Sequence, residues 1–203
     1  PMLGVEVRKT ASGKFQTAVS AKIRCRPDAL ATPTGWRVTF RTLGPDKKPF
    51  PGTRIEKTAT VANGRIEIRD GTTSRSLSAP EAFTVHWALF DAVQRLPRGA
   101  FEPKAFTLLD NFDEPKPHHT LSYRKSVELL LGGRRVQRHR WQELEKGRIR
   151  KTVWVREGDR PVPLHAYDHL GDGIVPEVYF VDAQGRLLIV AAGLEAYIWE
   201  GAS

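Results

Sequence analysis

Sulfur-containing residues are scarce in this sequence, and long apolar runs are missing. The 203 residues include one cysteine, Cys25, and one methionine. A single cysteine excludes an internal disulfide and a cysteine-rich zinc knuckle. The longest apolar run extends from Leu187 to Ala192, far short of the roughly 18 residues that a membrane-spanning helix requires. The sequence therefore predicts neither a disulfide scaffold nor a transmembrane segment.

Familiar catalytic and nucleotide-binding motifs are also missing. The sequence contains no nucleophile elbow, no phosphate loop, no Rossmann glycine pattern and no H-E-x-x-H metalloprotease spacing. We predict no cofactor. The chain begins Pro1-Met2 without the basic and apolar stretches of a signal peptide, which favours a mature exported protein. We therefore expect a periplasmic or secreted location, with the cytoplasm as the alternative.

The composition is that of an ordinary globular protein, with 40% hydrophobic and 27% charged residues. A chain of this length can bury about 70% of its unfolded surface, which is enough for one substantial core. Short runs of β-branched and aromatic residues alternate with Gly and Pro throughout, which is typical of antiparallel strands. We predict one β-rich domain over residues 1–203.

The predicted strands fall in two groups. Among the first, Asn63-Gly64 gives the strongest hairpin signal, between Ile55–Val61 and Arg65–Arg69. The hairpins of the second half leave no room for crossover helices, which indicates antiparallel pairing. The remaining strands are predicted near Val5–Lys9, Phe15–Arg26, Trp36–Leu43, Leu121–Leu131, Arg134–Leu144, Arg148–Arg156, Pro161–Ala166, Glu177–Val181, Arg186–Ala192 and Ala196–Trp199.

One long helix is predicted from Ser78 to Leu96. Ser78 and Glu81 have the S-x-x-E spacing of a capping box, and Pro97-Arg98-Gly99 follows as a stop. Its apolar residues fall on i, i+3 and i+4 rows, so the helix should pack on the sheet. A proline-rich stretch with two histidines over residues 111–119 predicts an exposed connection.

The net charge of +9 is unevenly distributed. From Arg134 to Arg156 there are nine basic residues against two acidic ones, whereas the tail from Glu157 is acidic. A three-residue loop at 145–147 would place Gln142 opposite Arg150 and Arg140 opposite Thr152, with the arginines on the solvent face. A two-residue turn at Gly132-Gly133 would instead place apolar residues on that same face. The sequence therefore does not decide which sheet face carries the basic residues. The candidate residues for binding an acidic partner are Arg138, Arg140, Arg148 and Arg150. Nucleic acid is not favoured, because aromatic residues among these arginines are few.

Two further sets of side chains are candidates for a site. His165, Asp168 and His169 are residue types that bind zinc or a related divalent metal, although flanking Pro and Gly indicate a strand end and loop. Aromatic residues are candidates for lining an apolar ligand, with core packing as the alternative reading of each. These are Phe83, Trp87, Phe90, Trp141 and Trp154.

The order of elements carries a resemblance. The predicted order is curled antiparallel strands, one helix near the middle and a long meander, which contains Asp182-Ala183-Gln184-Gly185-Arg186-Leu187 between two strands. This order resembles that of bacterial exported proteins of the lipoprotein-carrier (LolA/LolB-like) half-barrel type. The resemblance implies an unclosed sheet wrapped around a helix. It also implies an apolar concavity, which holds acyl chains in the carrier members.

Three functional hypotheses follow from these observations. The first is a non-catalytic binding or carrier module that takes an apolar or amphipathic small molecule in the concavity of a half-barrel. The second is a hydrolase or lyase that acts on a carbohydrate or an anionic substrate through His165, Asp168 and His169. The third is an interaction module that binds an acidic partner through the basic hairpin.

Overall fold

The described residues form two large β-sheets, a separate hairpin and one short helix. The computed structural model describes residues 2–10, 16–44, 46, 48–130, 139–144, 148–153, 161–193 and 195–198. The fold is mainly β, as predicted, with largely antiparallel sheets that include a curled half-barrel sheet. No helix in these described ranges is long and apolar enough to cross a membrane.

The first sheet is a six-stranded meander in which each strand pairs with the next. Asn63 and Gly64 connect β4 to β5 with φ angles of 50° and 70°, so the hairpin predicted from Asn-Gly is confirmed. Its strands are β1 (Met2–Thr10), β2 (Gln16–Cys25), β3 (Pro33–Leu43), β4 (Ile55–Ala62), β5 (Arg65–Asp70) and β6 (Thr73–Ser78).

The second sheet has seven strands in the order β15-β14-β13-β12-β9-β8-β7. Among its described strands only β7 and β8 pair in parallel, with the helix between them in sequence. Its strands are β7 (Phe83–Val85), β8 (Lys104–Asp110), β9 (Glu114–Leu130), β12 (Pro161–Leu170), β13 (Glu177–Asp182), β14 (Leu187–Ala192) and β15 (Glu195–Ile198).

The separate hairpin consists of β10 (His139–Leu144) and β11 (Arg148–Val153). Gln142 pairs with Arg150, and Arg140 pairs with Thr152. This register is the one expected from a three-residue connection, so that part of the prediction is confirmed. The turn at Gly132-Gly133, the other half of the facing argument, lies outside the described residues.

The helix is much shorter than predicted. The α-helix α1 covers Leu89–Arg95 and is preceded by a 3-10 turn at His86–Ala88. Ser78 ends β6 instead of capping a helix, and Phe83–Val85 is a strand, so the predicted capping box is wrong. All three residues of β7 are buried. A short apolar run fits a buried strand as well as a helix stripe, which is why the pattern misled.

The proline-rich stretch over residues 111–119 is mostly strand and not a connection, although five of its nine residues are exposed. Only residues 111–113 form a turn, and β9 begins at Glu114. In that turn Phe112 is buried and packs against Trp36 of the first sheet, with ring centroids 6.4 Å apart. The neighbouring Asp113 forms ion pairs with Lys57 at 2.7 Å and with Arg75 at 2.9 Å. The turn therefore joins the second sheet to the first.

The helix is attached to the second sheet through its carboxyl end. The guanidinium of Arg98 donates to the carbonyl oxygens of Val93, Gln94 and Leu96, which are otherwise unsatisfied at a helix terminus. It also donates to the Tyr167 hydroxyl at 2.9 Å. One cluster of buried apolar side chains contains residues of both sheets and of the helix, including Ile23, Leu89 and Tyr179.

We expect Gly64→Ala to lower the free energy of unfolding by about 1 kcal/mol, because alanine is disfavoured at positive φ. Urea unfolding measures the change. Gly99→Ala is the matched control, since Gly99 has no positive φ and a Cβ there would meet nothing within 4 Å. Equal losses in the two variants would contradict a turn-specific effect.

Candidate functional site: a buried network of histidines and a glutamate

The buried carboxylate of Glu177 is the centre of a polar cluster in the described core. Glu177 is 4% exposed. Its Oε2 accepts hydrogen bonds from Tyr179 Oη at 2.6 Å and from His169 Nδ1 at 3.1 Å. Its Oε1 lies 2.9 Å from His86 Nε2. Three donors therefore satisfy a charge that would otherwise be costly to bury.

The network continues from His169 to His119. His119 Nδ1 lies 2.9 Å from His169 Nε2, and both histidines are fully buried. Because an ionised carboxylate only accepts, His169 Nδ1 donates to Glu177, and in neutral His169 the Nε2 atom must accept. His119 Nδ1 is then the donor, and its Nε2 is an acceptor. That nitrogen is buried without a hydrogen-bond partner in the described part of the chain.

Strand register explains why these side chains meet. His169 pairs with Glu177 across β12 and β13, and His119 pairs with Phe106 across β9 and β8. Directly paired residues share a sheet face. Phe106 also stacks on His169, with ring centroids 5.5 Å apart.

Gly171 makes room for the His119 ring. A Cβ built at Gly171 would lie 2.1 Å from His119 Nδ1, much closer than any real contact. Glycine is thus the residue that this close approach requires.

The network shifts the pKa values of two of its members. Burial by itself raises the pKa of the Glu177 carboxyl, but hydrogen bonds from His169 and His86, the charge of His86 and the Tyr179 hydroxyl outweigh it. The pKa of Glu177 is therefore held well below its ordinary range. Burial, followed by the neighbouring His169, lowers the pKa of His119. The interior thus favours a charged glutamate and a neutral His119.

At its outer end the network orients one imidazole toward solvent. The His86 side chain is 31% exposed, and its Nε2 is held by Glu177. The ring of Phe90 lies beside it, with centroids 6.4 Å apart. A histidine fixed by a buried carboxylate can accept or release a proton in a defined orientation. The described residues contain no group of three or more His, Cys, Asp or Glu side chains arranged to hold a metal.

His165, Asp168 and His169 do not converge. All three lie in β12, where alternate residues point to opposite faces. The Asp168 carboxylate is 3.3 Å from Arg124 on the face away from the network, whereas His169 is buried within it. His165 lies 3.4 Å from the Tyr123 hydroxyl. The prediction of one metal or catalytic site from these three residues is wrong, because their segment is a strand and not a loop.

Of the aromatic residues predicted to line a ligand site, some lie in or against the core and the others lie outside the described residues. Phe83 is buried in β7, and the half-buried Trp87 and Phe90 pack against the core cluster. The side chain of Trp141, and Trp154 altogether, lie outside the described residues. The same is true of Arg138 and of the side chains of Arg140, Arg148 and Arg150. The basic hairpin as a partner site therefore stays a prediction.

The opposite face of the second sheet carries an apolar patch, which is bordered by Asp168 opposite Val178 and by Asp182 opposite Leu164. Ala166 pairs with Phe180, and Phe180 pairs with Ile189, so these three share the face away from the network. Leu164 and Ala166 are buried there, whereas Phe180 and Ile189 are half-buried. An antiparallel sheet with one face on the core usually carries polar residues on the other. On this second face, the patch of Leu164, Ala166, Val178, Phe180 and Ile189 departs from that pattern.

Sequence reasoning missed His86, His119, Glu177 and Tyr179. No local spacing connects them, since they come from the 3-10 turn and two distant strands. One signal was available, however. Glu177-Val178-Tyr179 places two polar groups on one face of an otherwise apolar strand, which predicts that the buried face must satisfy them.

Comparisons with known proteins identify no family. No protein-family model matches the sequence, and no curated protein matches it. Among solved structures, the chain is similar to the crystal structure of a beta-barrel-like protein of domain of unknown function DUF1849 from Brucella abortus. The TM-score is 0.49 and the identity 9%, over 98% of this chain and 82% of that one.

Lowering the pH below about 6.5 should destabilise the fold through His119. Its folded-state pKa is lowered, so the unfolded chain binds more protons there and stability rises with pH across this window. We expect His119→Asn to reduce this pH dependence between pH 5 and about pH 7.5, as measured by urea unfolding at each pH. His118→Asn changes the exposed neighbour and should leave the slope as it is. Equal slopes in both variants would contradict the assignment.

Replacing the buried charge should be costly. We expect Glu177→Gln to lower the free energy of unfolding at neutral pH by about 2 kcal/mol or more, because a neutral amide cannot accept from both imidazoles. The difference from the wild type should shrink below about pH 4.3, where the unfolded carboxyl is protonated and the contribution of the lowered pKa is lost. Glu67→Gln, at an exposed position, is the control. A variant as stable as the wild type would rule out this role for the charge.

Proposed function

We propose that the protein is a non-catalytic binding or carrier module for an apolar or amphipathic small molecule, held against the second face of the seven-stranded sheet. The observation that carries the proposal is the apolar patch on the second face of β12, β13 and β14, which contains Ala166, Phe180 and Ile189. The network side is filled by Tyr167, Tyr179 and Val181, all of which are fully buried. The other side keeps apolar groups partly open.

The partly open residues form one patch. Register places Val178 opposite Ala191 and Phe180 opposite Ile189, so the patch crosses β13 and β14 without a charged residue between these pairs. All four side chains are half-buried. Covering such a surface with an acyl chain or a ring system gains free energy in proportion to the apolar area removed from water.

Lys125 gives the patch a polar boundary. It pairs with Ala166 from β9, while Phe180 pairs with Ala166 from β13, so Lys125 and Phe180 flank the same residue on the same face. Two strand spacings separate them, about 10 Å. Lys125 is exposed. An ammonium at this position suits a ligand with an apolar body and an anionic head.

Binding of a long-chain fatty acid tests the proposal. We expect saturable binding, and Phe180→Ser should weaken it about tenfold or more, because a large apolar contact is replaced by a hydroxyl. Fluorescent fatty-acid titration measures the affinity. Val175→Ser is the control, since Val175 is an exposed apolar residue of the β12–β13 connection and is not part of the patch. Binding that fails to saturate, or equal losses in both variants, would overturn the proposal.

Lys125→Gln tests the head-group contact separately. We expect severalfold weaker binding of the fatty acid and unchanged binding of the fatty alcohol of the same length, because only the acid carries a charge for the ammonium to attract. Competition titrations with both compounds measure this difference. Equal effects on the two compounds would contradict an ionic contact while leaving the apolar patch in place.

A further inference from the structure

The outer face of the first sheet is strongly basic. Lys22 pairs with Arg37, Arg37 with Thr58 and Thr58 with Arg69, so a row of cations and hydroxyls crosses four strands. These side chains alternate with the buried residues of the same strands and point away from the core. The exposed cations of this basic face are Lys22, Arg24, Arg37, Arg41, Arg65 and Arg69.

Acidic residues neutralise only part of this charge. Glu56 and Glu67 lie on the same face, 3.7 Å from Arg37 and 3.6 Å from Arg65 respectively. Six cations against two described anions leave an excess of four positive charges. Like charges gathered on one exposed surface favour an anionic partner.

The rest of the basic face is rich in hydroxyl groups. Its neutral positions are mostly serine and threonine, and the described part of the face has no aromatic residue that could stack on a base. Guanidinium and hydroxyl groups together are suitable donors for phosphate oxygens. The neutral hydroxyl positions include Ser20, Thr39, Thr58, Thr60, Ser74 and Ser76.

An exposed aromatic side chain lies at one end of this sheet. Phe50 is 52% exposed in the connection between β3 and β4. Lys48 and Arg54 lie in the same connection, with side chains 83% and 60% exposed, and they pair with Asp46 and Glu56 respectively. An aromatic group beside cations suits the boundary between lipid head groups and acyl chains. This apolar tip favours a lipid surface over a dissolved polyanion.

We propose that the basic face and the apolar tip form a peripheral binding surface for an anionic lipid bilayer. The cations contact the phosphate-bearing head groups, and Phe50 enters the interface. The attraction is electrostatic in the main, so it weakens as salt screens it.

Co-sedimentation with vesicles tests the proposal on the full chain. We expect binding to vesicles of phosphatidylglycerol and phosphatidylcholine in equal parts, little binding to phosphatidylcholine alone, and loss of binding in high salt. The double variant Arg24→Gln with Arg41→Gln should lower the partition coefficient roughly tenfold. Phe50→Ser should lower it severalfold without changing its salt dependence.

The matched control is Arg124→Gln with Arg186→Gln, which removes the same charge from the second sheet, where both arginines pair with aspartates. It should bind vesicles as the wild type does. Equal losses in the two double variants, or equal binding to both kinds of vesicle, would overturn the proposal. Full binding by Phe50→Ser, with equally tight binding of a DNA duplex at the same phosphate concentration, would reassign the face to dissolved polyanions.

Discussion

The charge on Glu177 is the constraint on which the interior of the second sheet depends. A carboxylate that is 4% exposed must be supplied with donors, and the cost of leaving it unsatisfied exceeds that of most single contacts. Tyr179, His169 and His86 supply them. These donors come from β13, β12 and the turn before α1. The charge therefore fixes how the helical segment lies on the sheet.

The hydrogen bond from His169 to Glu177 creates a need for a further hydrogen-bond partner along the network. Once His169 donates to the carboxylate, its other nitrogen needs a partner, which His119 provides at 2.9 Å. His119 in turn needs space, and Gly171 leaves it. The network ends at His119 Nε2, a buried nitrogen with no hydrogen-bond partner among the described residues. Polar networks of this kind restrict a core to one arrangement, and they make it sensitive to protonation.

Local patterns predicted the parts of the fold that depend on neighbouring residues. Asn63-Gly64 specified a hairpin because few other residues adopt positive φ in two successive positions. The pairing of Arg140 with Thr152 followed from the length of one connection. The run from Phe83 to Val85 was mistaken for helix because its burial comes from pairing with β8, more than 20 residues later in the chain.

The candidate site was harder to predict for the same reason. His169 was selected for its neighbours His165 and Asp168, yet its true partners are 50 residues before it and eight after it. Adjacent side chains of a strand point to opposite faces. Asp168 and His169 are adjacent in sequence and therefore lie on different faces of the sheet. Residues 111–119 were predicted as a loop from their prolines, but Phe112 and Asp113 are held by the first sheet.

The turn at residues 111–113 bears on where the two proposed binding surfaces lie. Asp113 forms ion pairs with Lys57 and Arg75. These two cations of the first sheet therefore connect it to the second. The cations of the basic face point the other way and have no such partner in the second sheet among the described ion pairs. Charge on the first sheet is thus divided by strand parity, one side holding the sheets together and the other facing solvent. The proposed lipid-binding surface and the proposed ligand patch consequently lie on different sheets, and each can be altered by mutation without removing side chains of the other.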